Sequence, residues 1–278
     1  MYVDKKVSVV TGSSSGIGYE TALILARNGF MTYATMRDTK KGLSLDSVAK
    51  KENLQLKILQ LDVTDESSIN KAIKSIYDES KQIDVLVNNA GYGLVGAFED
   101  VSMDEIKLQF ETNFFGLIRV TQAVLPIMRN RNSGKIVNIS SGAGKFGFPT
   151  GSVYVSSKFA VEGLSESLAY EVEPFGIKII LVEPGVIKTN FFNASIMAKK
   201  SLDSNSPYSK VYQNMGSGLD KMLENGSTPE LVAKTVLDAI VDKNPKLRYP
   251  AGGDVTQWLE RKKNMSDEDF FNMMKQDL

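Results

Sequence analysis

The residues best suited to acid–base chemistry in this sequence are a tyrosine and a lysine four positions apart. Side chains at this spacing share one face of a helix. A nearby ammonium group favours the phenolate and lowers the tyrosine pKa from its reference value of about 10. Such a tyrosine can exchange a proton with an alcohol or carbonyl oxygen near neutral pH. The chain contains three pairs of this kind: Tyr2/Lys6, Tyr77/Lys81 and Tyr154/Lys158.

Sequence context separates these pairs, because each of them could equally be a surface contact on a helix. Tyr154/Lys158 opens a long helical pattern and follows the apolar run Lys135–Ile139, which ends in Ser140-Ser141-Gly142. Ligands of a parallel sheet bind outside the carboxyl ends of its strands. We therefore expect the serine pair to lie beside Tyr154, where a hydroxyl can hold the reacting oxygen.

Composition removes several other kinds of chemistry. The 278 residues include no Cys and no His. Disulfides, thiolate nucleophiles, Ser-His-Asp triads and metal sites built on Cys or His are thereby excluded. Lys plus Arg and Asp plus Glu both number 33, so no basic excess favours nucleic acid or an anionic membrane. The chemistry must use Ser, Thr, Tyr, Lys, Arg, Asp, Glu or a cofactor, and we predict no metal site.

A glycine-rich turn follows the first apolar run and reads T-G-S-S-S-G-I-G from Thr11 to Gly18. Gly12 permits a tight turn, Gly16 lets the backbone approach a pyrophosphate, and Gly18 lets the next helix pack closely. The helix N-terminus offers free N–H groups to phosphates. A plain strand–helix connection is the alternative. The turn also matches G-x-S-x-G around Ser14, but a hydrolase nucleophile would need a base that this chain lacks, so Ser14 is interpreted as a phosphate or ribose contact.

The end of the second apolar run bears on the choice of dinucleotide. An acidic residue about 20 positions after the glycine turn binds the ribose 2′-hydroxyl of NAD, whereas an arginine accommodates the 2′-phosphate of NADP. Arg37 and Asp38 are adjacent here, and Arg37 is nearer to the strand end. The pattern favours NADP(H) over NAD(H), with an exposed ion pair as the alternative.

Short apolar runs alternate with longer amphipathic stretches along the chain. This alternation predicts an α/β fold: a single-domain, Rossmann-type, doubly wound parallel sheet with helices on both faces. An irregular segment at about 190–227 is predicted to be a substrate lid that is mobile without ligand, and a helical extension covers about 254–278. The predicted strands are Val7–Val10, Met31–Thr35, Gln55–Leu61, Val85–Val87, Lys135–Ile139, Lys178–Val182 and, more weakly, Leu247–Tyr249; the predicted helices are Gly16–Asn28, Ser67–Glu79, Met103–Arg129, Tyr154–Glu173 and Pro229–Asp242.

Taken together, these motifs resemble the short-chain dehydrogenase/reductase family from about residue 5 to about residue 250. The glycine turn matches the family's T-G-x-x-x-G-x-G, and A-T-M-R-D resembles A-T-x-R-D of members similar to 17β-hydroxysteroid, retinol and carbonyl reductases. Further matches, in chain order, are Asp62-Val63, Asn88-Asn89-Ala90-Gly91, Asn113, Ser141, Tyr154, Lys158, and Pro184-Gly185 followed by Thr189.

The resemblance implies a role for each matched residue. Tyr154 would be the general acid/base, Lys158 would lower its pKa and bind the nicotinamide ribose, and Ser141 would orient the substrate oxygen. Asn113 would hold a water molecule that links Lys158 to solvent. The implied cofactor-binding residues are Gly12, Ser14, Ser15, Gly16, Ile17, Gly18, Arg37, Asp38, Asp62, Val63, Asn89, Ala90, Gly91, Tyr154, Lys158, Pro184, Gly185, Ile187 and Thr189.

The expected reaction is hydride transfer between NADP(H) and a carbonyl or secondary alcohol. Apolar residues after the catalytic serine and in the lid suggest a hydrophobic substrate, although they could be ordinary packing residues. They are Phe146, Phe148, Phe191, Phe192, Ile196, Met197 and Tyr208. The alternatives are a non-enzymatic dinucleotide sensor and a lyase, epimerase or dehydratase. Resemblance implies a homodimer or tetramer. We expect no nucleic-acid partner, no membrane span and a cytoplasmic location.

Overall fold

A seven-stranded parallel sheet forms the centre of the protein. The computed structural model describes residues 5–189, 195–212 and 224–277. The strand order is β3-β2-β1-β4-β6-β7-β9, and a separate two-stranded pair joins β5 to β8. The strands are β1 Val7–Thr11, β2 Met31–Met36, β3 Leu56–Gln60, β4 Val85–Asn88, β5 Leu94–Val95, β6 Gly134–Ile139, β7 Ile177–Pro184, β8 Ile196–Met197 and β9 Arg248–Ala251.

Helices cover both faces of this sheet. One apolar cluster packs α1 and α7 on one face, and a second packs α3 and α5 on the other. Strands buried on both faces must be apolar nearly throughout, which is why the sequence shows continuous rather than alternating apolar runs. The predicted doubly wound fold is confirmed. The helices are α1 Gly16–Arg27, α2 Leu43–Lys51, α3 Glu66–Ser80, α4 Met103–Phe110, α5 Gly116–Asn130, α6 Ser152–Val172, α7 Pro229–Val241, α8 Gly253–Asn264 and α9 Asp267–Asp277.

The strand order creates a crevice at the carboxyl edge of the sheet. β1 lies between β2 and β4, so the chain runs to one side of β1 first and to the other side afterwards. Connections diverge at such a switch point and leave room for a ligand. The glycine turn follows β1 and therefore lies at this crevice.

Several elements differ from the sequence-based expectations. Helix α2 and the two-residue strands β5 and β8 were not predicted, and the stretch Met103–Arg129 is not one regular α-helix. A π-helical turn at Glu111–Phe115 separates α4 from α5 and contains Asn113. Such turns insert a wider backbone ring into a helix and are frequent at functional sites.

The segment predicted to be a lid is described in part. Residues 190–194 and 213–223 lie outside the described residues, and the expectations for Phe191 and Phe192 fall there. Within the described part, β8 pairs with β5 through Leu94↔Ile196 and Val95↔Met197. No helix in the described ranges is both long enough and apolar enough to traverse a lipid bilayer.

Candidate active site

The glycine turn has a shape that only glycine permits at two of its positions. Gly12 and Gly16 have φ angles of +68° and +57°, in the left-handed region. A Cβ on Gly12 would lie 2.8 Å from Ala90 Cα, and one on Gly18 would lie 2.5 Å from the Gly12 carbonyl oxygen. The backbone of the turn therefore packs so closely against the residue after β4 and against its own helix that a side chain at Gly12 or Gly18 would clash.

Two residues that follow β4 brace this turn from the side. The Asn89 carboxamide donates to the carbonyl oxygens of Thr11 (2.9 Å) and Gly12 (3.1 Å). In return, the Thr11 hydroxyl accepts hydrogen bonds from the backbone N–H groups of Asn89 (3.0 Å) and Ala90 (3.1 Å). In this structure Asn89 and Ala90 thus fix the geometry of the turn, and their binding of the cofactor stays a prediction.

The N-terminus of α1 is open to a ligand. Its N-cap Ser15 makes no side-chain capping hydrogen bond, and the first turn carries no acidic residue. Free N–H groups and the positive end of the helix dipole favour a bound anion. The loop after β7 reaches the same place, because the Thr189 methyl group lies 3.4 Å from the position of a Cβ on Gly16. The glycine turn and this loop thus lie together at the N-terminus of α1, where the helix dipole favours a phosphate group.

Arg37 and Asp38 follow β2 at the carboxyl edge, and both are exposed. The Asp38 carboxylate caps the next short helical turn, because its Oδ1 accepts from the Lys40 backbone N–H at 3.0 Å. Arg37 makes no ion pair within the described part of the chain. Its guanidinium is therefore available to a ligand, while Asp38 is partly engaged.

Asp62 and Val63, which follow β3, hold the loop after this strand in place. Asp62 Oδ1 accepts from the Thr64 backbone N–H (2.9 Å) and hydroxyl (2.8 Å). Val63 is buried, and a Cβ on Gly116 would lie 2.7 Å from its Cγ2. These contacts fix the loop against the start of α5, next to the crevice.

Tyr154 and Ser141 meet at the start of α6. A hydrogen bond joins their hydroxyl groups and lowers the Tyr154 pKa, but the larger effect is burial, which raises that pKa to about 12. The Ser141 hydroxyl also lies 3.4 Å from the Pro184 carbonyl oxygen and accepts from the Ala143 backbone N–H at 3.1 Å. The side-chain oxygens of Ser141 and Tyr154 are thus arranged to share a small polar ligand atom.

Lys158 lies one helical turn after Tyr154 and is buried. Its Nζ donates to the Ile139 carbonyl oxygen at 2.8 Å and lies 5.8 Å from the centroid of the Tyr154 ring. Burial lowers the pKa of Lys158 to about 8, and the Glu162 carboxylate opposes that shift. Burial of the phenol is the largest influence on the Tyr154 pKa in this structure, and the expectation that Lys158 lowers that pKa stays a prediction.

Asn113 lies in the π-helical turn and clamps the chain after β4. Its carboxamide oxygen accepts from the Tyr92 backbone N–H at 3.1 Å, and its nitrogen donates to the Tyr92 carbonyl oxygen at 3.0 Å. The same nitrogen lies 3.4 Å from the Ser157 hydroxyl on α6. Asn113 therefore joins the β4 loop to the helix that carries Tyr154 and Lys158.

The loop after β7 is held by a residue that sequence reasoning missed. Asp254 Oδ2 accepts from the Val186 backbone N–H at 2.7 Å. Its carboxylate oxygens lie 2.3 and 2.4 Å from the position of a Cβ on Gly185, so glycine is required there. Ile187 is buried in the core and contributes its backbone only. An acidic residue just after a G-G pair at a strand end was the available signal for Asp254.

Some predicted positions do not belong to the crevice. Phe146 is buried against Trp258 and Phe270, with ring centroids 5.6 and 5.7 Å away, so it packs the C-terminal helices and does not form an open apolar pocket surface. The pair Tyr77/Lys81 lies at the end of α3 as a surface contact. Of the pair Tyr2/Lys6, Tyr2 falls outside the described residues.

Comparison with known proteins supplies a family and its activities. The family model for short chain dehydrogenases matches residues 6–200. The chain is 36% identical over 247 residues to 3-ketodihydrosphingosine reductase of Bacteroides thetaiotaomicron, covering 89% of this chain and 88% of that protein. It is 38% identical over 250 residues to human retinol dehydrogenase 8, covering 86% and 79%.

Solved structures give the same result for the fold. A short-chain dehydrogenase from Streptomyces avermitilis is 35% identical, with a TM-score of 0.85 and coverage of 99% of this chain and 98% of that one. The structure of ElxO with NADP bound is 30% identical, with a TM-score of 0.74 and coverage of 91% and 99%. Both similarities extend over most of the chain.

Proposed function

The chain belongs to the short-chain dehydrogenase family, and from that premise we propose that it is an NADP(H)-dependent oxidoreductase acting on a hydrophobic carbonyl or secondary alcohol. Relatives that match most of its length are named as reductases and dehydrogenases, so the chain is an oxidoreductase of this family. A nicotinamide dinucleotide is the supported cofactor class, since the family acts through one and a solved relative carries NADP.

The observation that carries the proposal is the contact between Tyr154 and Ser141 in the crevice, with Lys158 one turn behind. The bound nicotinamide would supply or accept the hydride. In reduction, Ser141 holds the carbonyl oxygen and the Tyr154 hydroxyl gives its proton to that oxygen. In oxidation, the same oxygen returns its proton to Tyr154. Lys158 keeps positive charge beneath the phenol and stabilises the phenolate that remains after proton transfer.

The preference for NADP(H) rests on Arg37. A guanidinium recognises a phosphate through charge-assisted, often bidentate hydrogen bonds. Arg37 is exposed at the end of β2. One carboxylate oxygen of Asp38 already accepts from the Lys40 backbone N–H, so only the other oxygen is left for a ribose hydroxyl. A 2′-phosphate beside Arg37 is the arrangement that we propose.

The hydrophobic substrate class is supported from two directions. The described part of the segment at about 190–227 presents Ile196 and Met197, which are half exposed beside the crevice loops. The relatives named above act, by their names, on retinol and on 3-ketodihydrosphingosine. We propose that this segment is a lid, anchored where Asp100 accepts from the hydroxyls of Ser206 (2.7 Å) and Tyr212 (2.8 Å).

A homodimer is proposed from exposed apolar side chains on neighbouring helices. Leu108 lies on α4, Phe115 in the π-helical turn and Phe159 on α6, and each exposes more than two fifths of its surface. Sedimentation or light scattering measures the assembly. A cytoplasmic location also stays a prediction.

The deciding experiment is oxidation of NADPH and of NADH against a panel of carbonyls that includes steroids, retinoids, medium-chain ketones, quinones and β-ketoesters. We expect turnover that prefers NADPH and is fastest with an apolar carbonyl. Tight nucleotide binding without turnover on any carbonyl would favour the sensor alternative. Failure to bind either nucleotide would overturn the proposal.

A further inference from the structure

Three buried polar residues lie behind the Tyr154–Lys158 pair, and one side-chain oxygen of each has no hydrogen-bond partner among the described residues. These oxygens are Ser140 Oγ, Glu162 Oε1 and Glu183 Oε1. The three residues expose only 3%, 4% and 2% of their surface. A buried carboxylate oxygen without a donor is costly, and a proton on one of two adjoining carboxyl groups supplies the missing donor.

Glu162 lies directly behind Lys158. It follows Lys158 by one helical turn on α6. A Cβ on Gly144 would lie 2.8 Å from both Glu162 Cγ and Ser140 Oγ, and 3.2 Å from the Lys158 carbonyl oxygen. These atoms therefore surround one small space between α6 and the loop that carries the catalytic serine.

Glu183 enters the same space from β7. It lies between Val182, whose carbonyl oxygen accepts from the Ser140 backbone N–H at 2.8 Å, and Pro184, whose carbonyl oxygen faces the Ser141 hydroxyl. Glu183 is also within hydrogen-bonding reach of Glu162. The two carboxyl groups thus adjoin each other, and each is linked through its chain neighbours to a residue of the proposed site.

Arg248 is shared by three carboxyl groups near this pair. Arg248 Nε lies 2.9 Å from Glu162 Oε2 and 3.6 Å from Glu183 Oε1, while its Nη2 donates to the exposed Glu166 at 2.6 Å. Lys145 also faces Glu183. Burial, the neighbouring Glu162 charge and a hydrogen bond to Glu162 together raise the pKa of Glu183 to about 7, against the lowering effect of Lys145 and Arg248.

We propose, resting on the proposed function, that Glu162 and Glu183 are positioning residues which share one proton at neutral pH and whose remaining negative charge holds Lys158 in its ammonium form. The pair donates nothing to substrate or cofactor. It acts through Lys158, which lies between it and the Tyr154 phenol. Loss of the shared proton places a second negative charge behind Lys158, so the site responds to pH through groups that never touch the ligand.

Two substitutions on α6, each of which removes one carboxylate, test the pair. Glu162→Gln removes a buried carboxylate beside Lys158, and Glu166→Gln removes an exposed carboxylate that binds the same Arg248. In the cofactor-free protein, the Cε resonances of ¹³C-labelled lysines are followed against pH by NMR, and the Lys158 resonance is identified by its absence in Lys158→Met. We expect its midpoint to fall by about one pH unit in Glu162→Gln and to stay unchanged in Glu166→Gln. Equal shifts in both variants, or none in Glu162→Gln, would overturn the proposal.

The pH profile of turnover supplies the second readout. We expect the alkaline limb of kcat/KM to move to lower pH in Glu162→Gln and not in Glu166→Gln. If Glu162→Gln does not fold, Glu183→Gln still tests the pair. Its amide supplies the hydrogen that the shared proton supplied, so we expect this variant to fold. Its pH profile of kcat/KM should lose the inflection that titration of Glu183 contributes near neutral pH. A Glu183→Gln profile that superimposes on that of the unaltered protein would show that the pair does not titrate.

These measurements separate the two proposals. If no carbonyl is reduced but the Lys158 midpoint falls as expected, the proposed function fails and the carboxyl pair stands. If turnover is found and neither the midpoint nor the profile moves, the pair fails and the function stands.

Discussion

Different chemistry fixes the two sides of the crevice. On the glycine-turn side, Thr11 and Asn89 hold the backbone through hydrogen bonds between neutral groups. On the side after β7, Asp254 holds Val186 through a carboxylate, and Arg248 bridges buried acidic groups. Neutral hydrogen bonds keep their geometry over a wide pH range, whereas buried carboxyl groups change with protonation.

The position of each side in the sheet explains this difference. β1 and β4 are central strands whose neighbours on both sides fix them, so short local hydrogen bonds complete the turn. β9 is an edge strand that pairs only with β7, and it must also be joined to α6 and to the C-terminal extension. Arg248 makes the first join through ion pairs with Glu162 and Glu166, and Asp254, at the start of the extension, accepts a hydrogen bond from the Val186 N–H in the loop after β7. Variants on the two sides should therefore differ in how their effects depend on pH.

The largest effect is expected where the two sides meet, at Tyr154. Tyr154→Phe keeps the ring and removes the proton, so turnover should fall by about 10²–10⁴-fold, the usual contribution of general acid/base catalysis. NADPH oxidation measures the loss, and a fluorescence titration should show that NADPH still binds. A variant that keeps its turnover would show that the proton comes from another group.

Arg37→Ala should produce the next largest effect, and only with one of the two dinucleotides. Removal of a charge-assisted contact to a phosphate costs about 1.5–3 kcal/mol, which is about 10–100-fold in NADPH affinity. NADH lacks the 2′-phosphate, so its affinity serves as the internal control and should not change. Equal losses for both dinucleotides would contradict the assignment of Arg37.

Asn89→Ala tests the neutral side. It leaves the carbonyl oxygens of Thr11 and Gly12 without their donor, at a cost of about 1–3 kcal/mol in the free energy of unfolding. The loss should be the same at acid and alkaline pH. Asn28→Ala is the matched control, because its amide also donates to a carbonyl oxygen but lies exposed at the end of α1, and its cost should stay within about 0.5 kcal/mol. A loss for Asn89→Ala that varied with pH would weaken the comparison.

The sequence predicted the neutral side better than the charged side. The glycine spacing and the apolar strands are local signals, and they placed Gly12, Gly16 and Gly18 correctly. Glu183 is an acidic residue in an apolar strand, but its partners come from α6 and β9, far away along the chain. Sequence adjacency cannot tell where a side chain points, so Phe146 was wrongly expected in the substrate pocket.

Local patterns also missed two backbone features. The helix Leu43–Lys51 buries little more than Leu45 and Ala49, so its apolar periodicity is too weak to predict a helix. The π-helical turn around Asn113 differs from an α-helix by one residue in its hydrogen-bonding, and no periodicity in the sequence marks it.

Asp254→Ala tests the charged side at the loop after β7. The Val186 N–H loses its acceptor, and the loop that reaches Gly16 through Thr189 loses its fixed position. We expect NADPH affinity to fall about tenfold, since an unpaired buried donor costs about 1–3 kcal/mol. Glu260→Ala removes an exposed carboxylate from the same helix and should have no effect on binding. If both variants bind NADPH normally, Asp254 does not position the cofactor loop.

The smallest expected effect is on thermal stability. The Tm offset of a variant should change with pH on the charged side of the crevice and stay constant on the neutral side. Burial raises the folded-state pKa of Glu183 from 4.5 to about 7. The folded chain therefore keeps a proton that the unfolded chain releases, so the stability from this group is full below its unfolded pKa and is lost as pH rises through about 7. Glu183→Gln has no such titration. Its Tm relative to the unaltered protein should rise by a few degrees between about pH 5 and about pH 8, since 1 kcal/mol moves Tm by about 2–4 °C in a domain of roughly this size. Calorimetry at both pH values measures the difference, with Asn89→Ala as the variant whose Tm offset should not change. Parallel curves for Glu183→Gln and the unaltered protein would mean that the buried pair carries no titrating proton and that the two sides respond alike to pH.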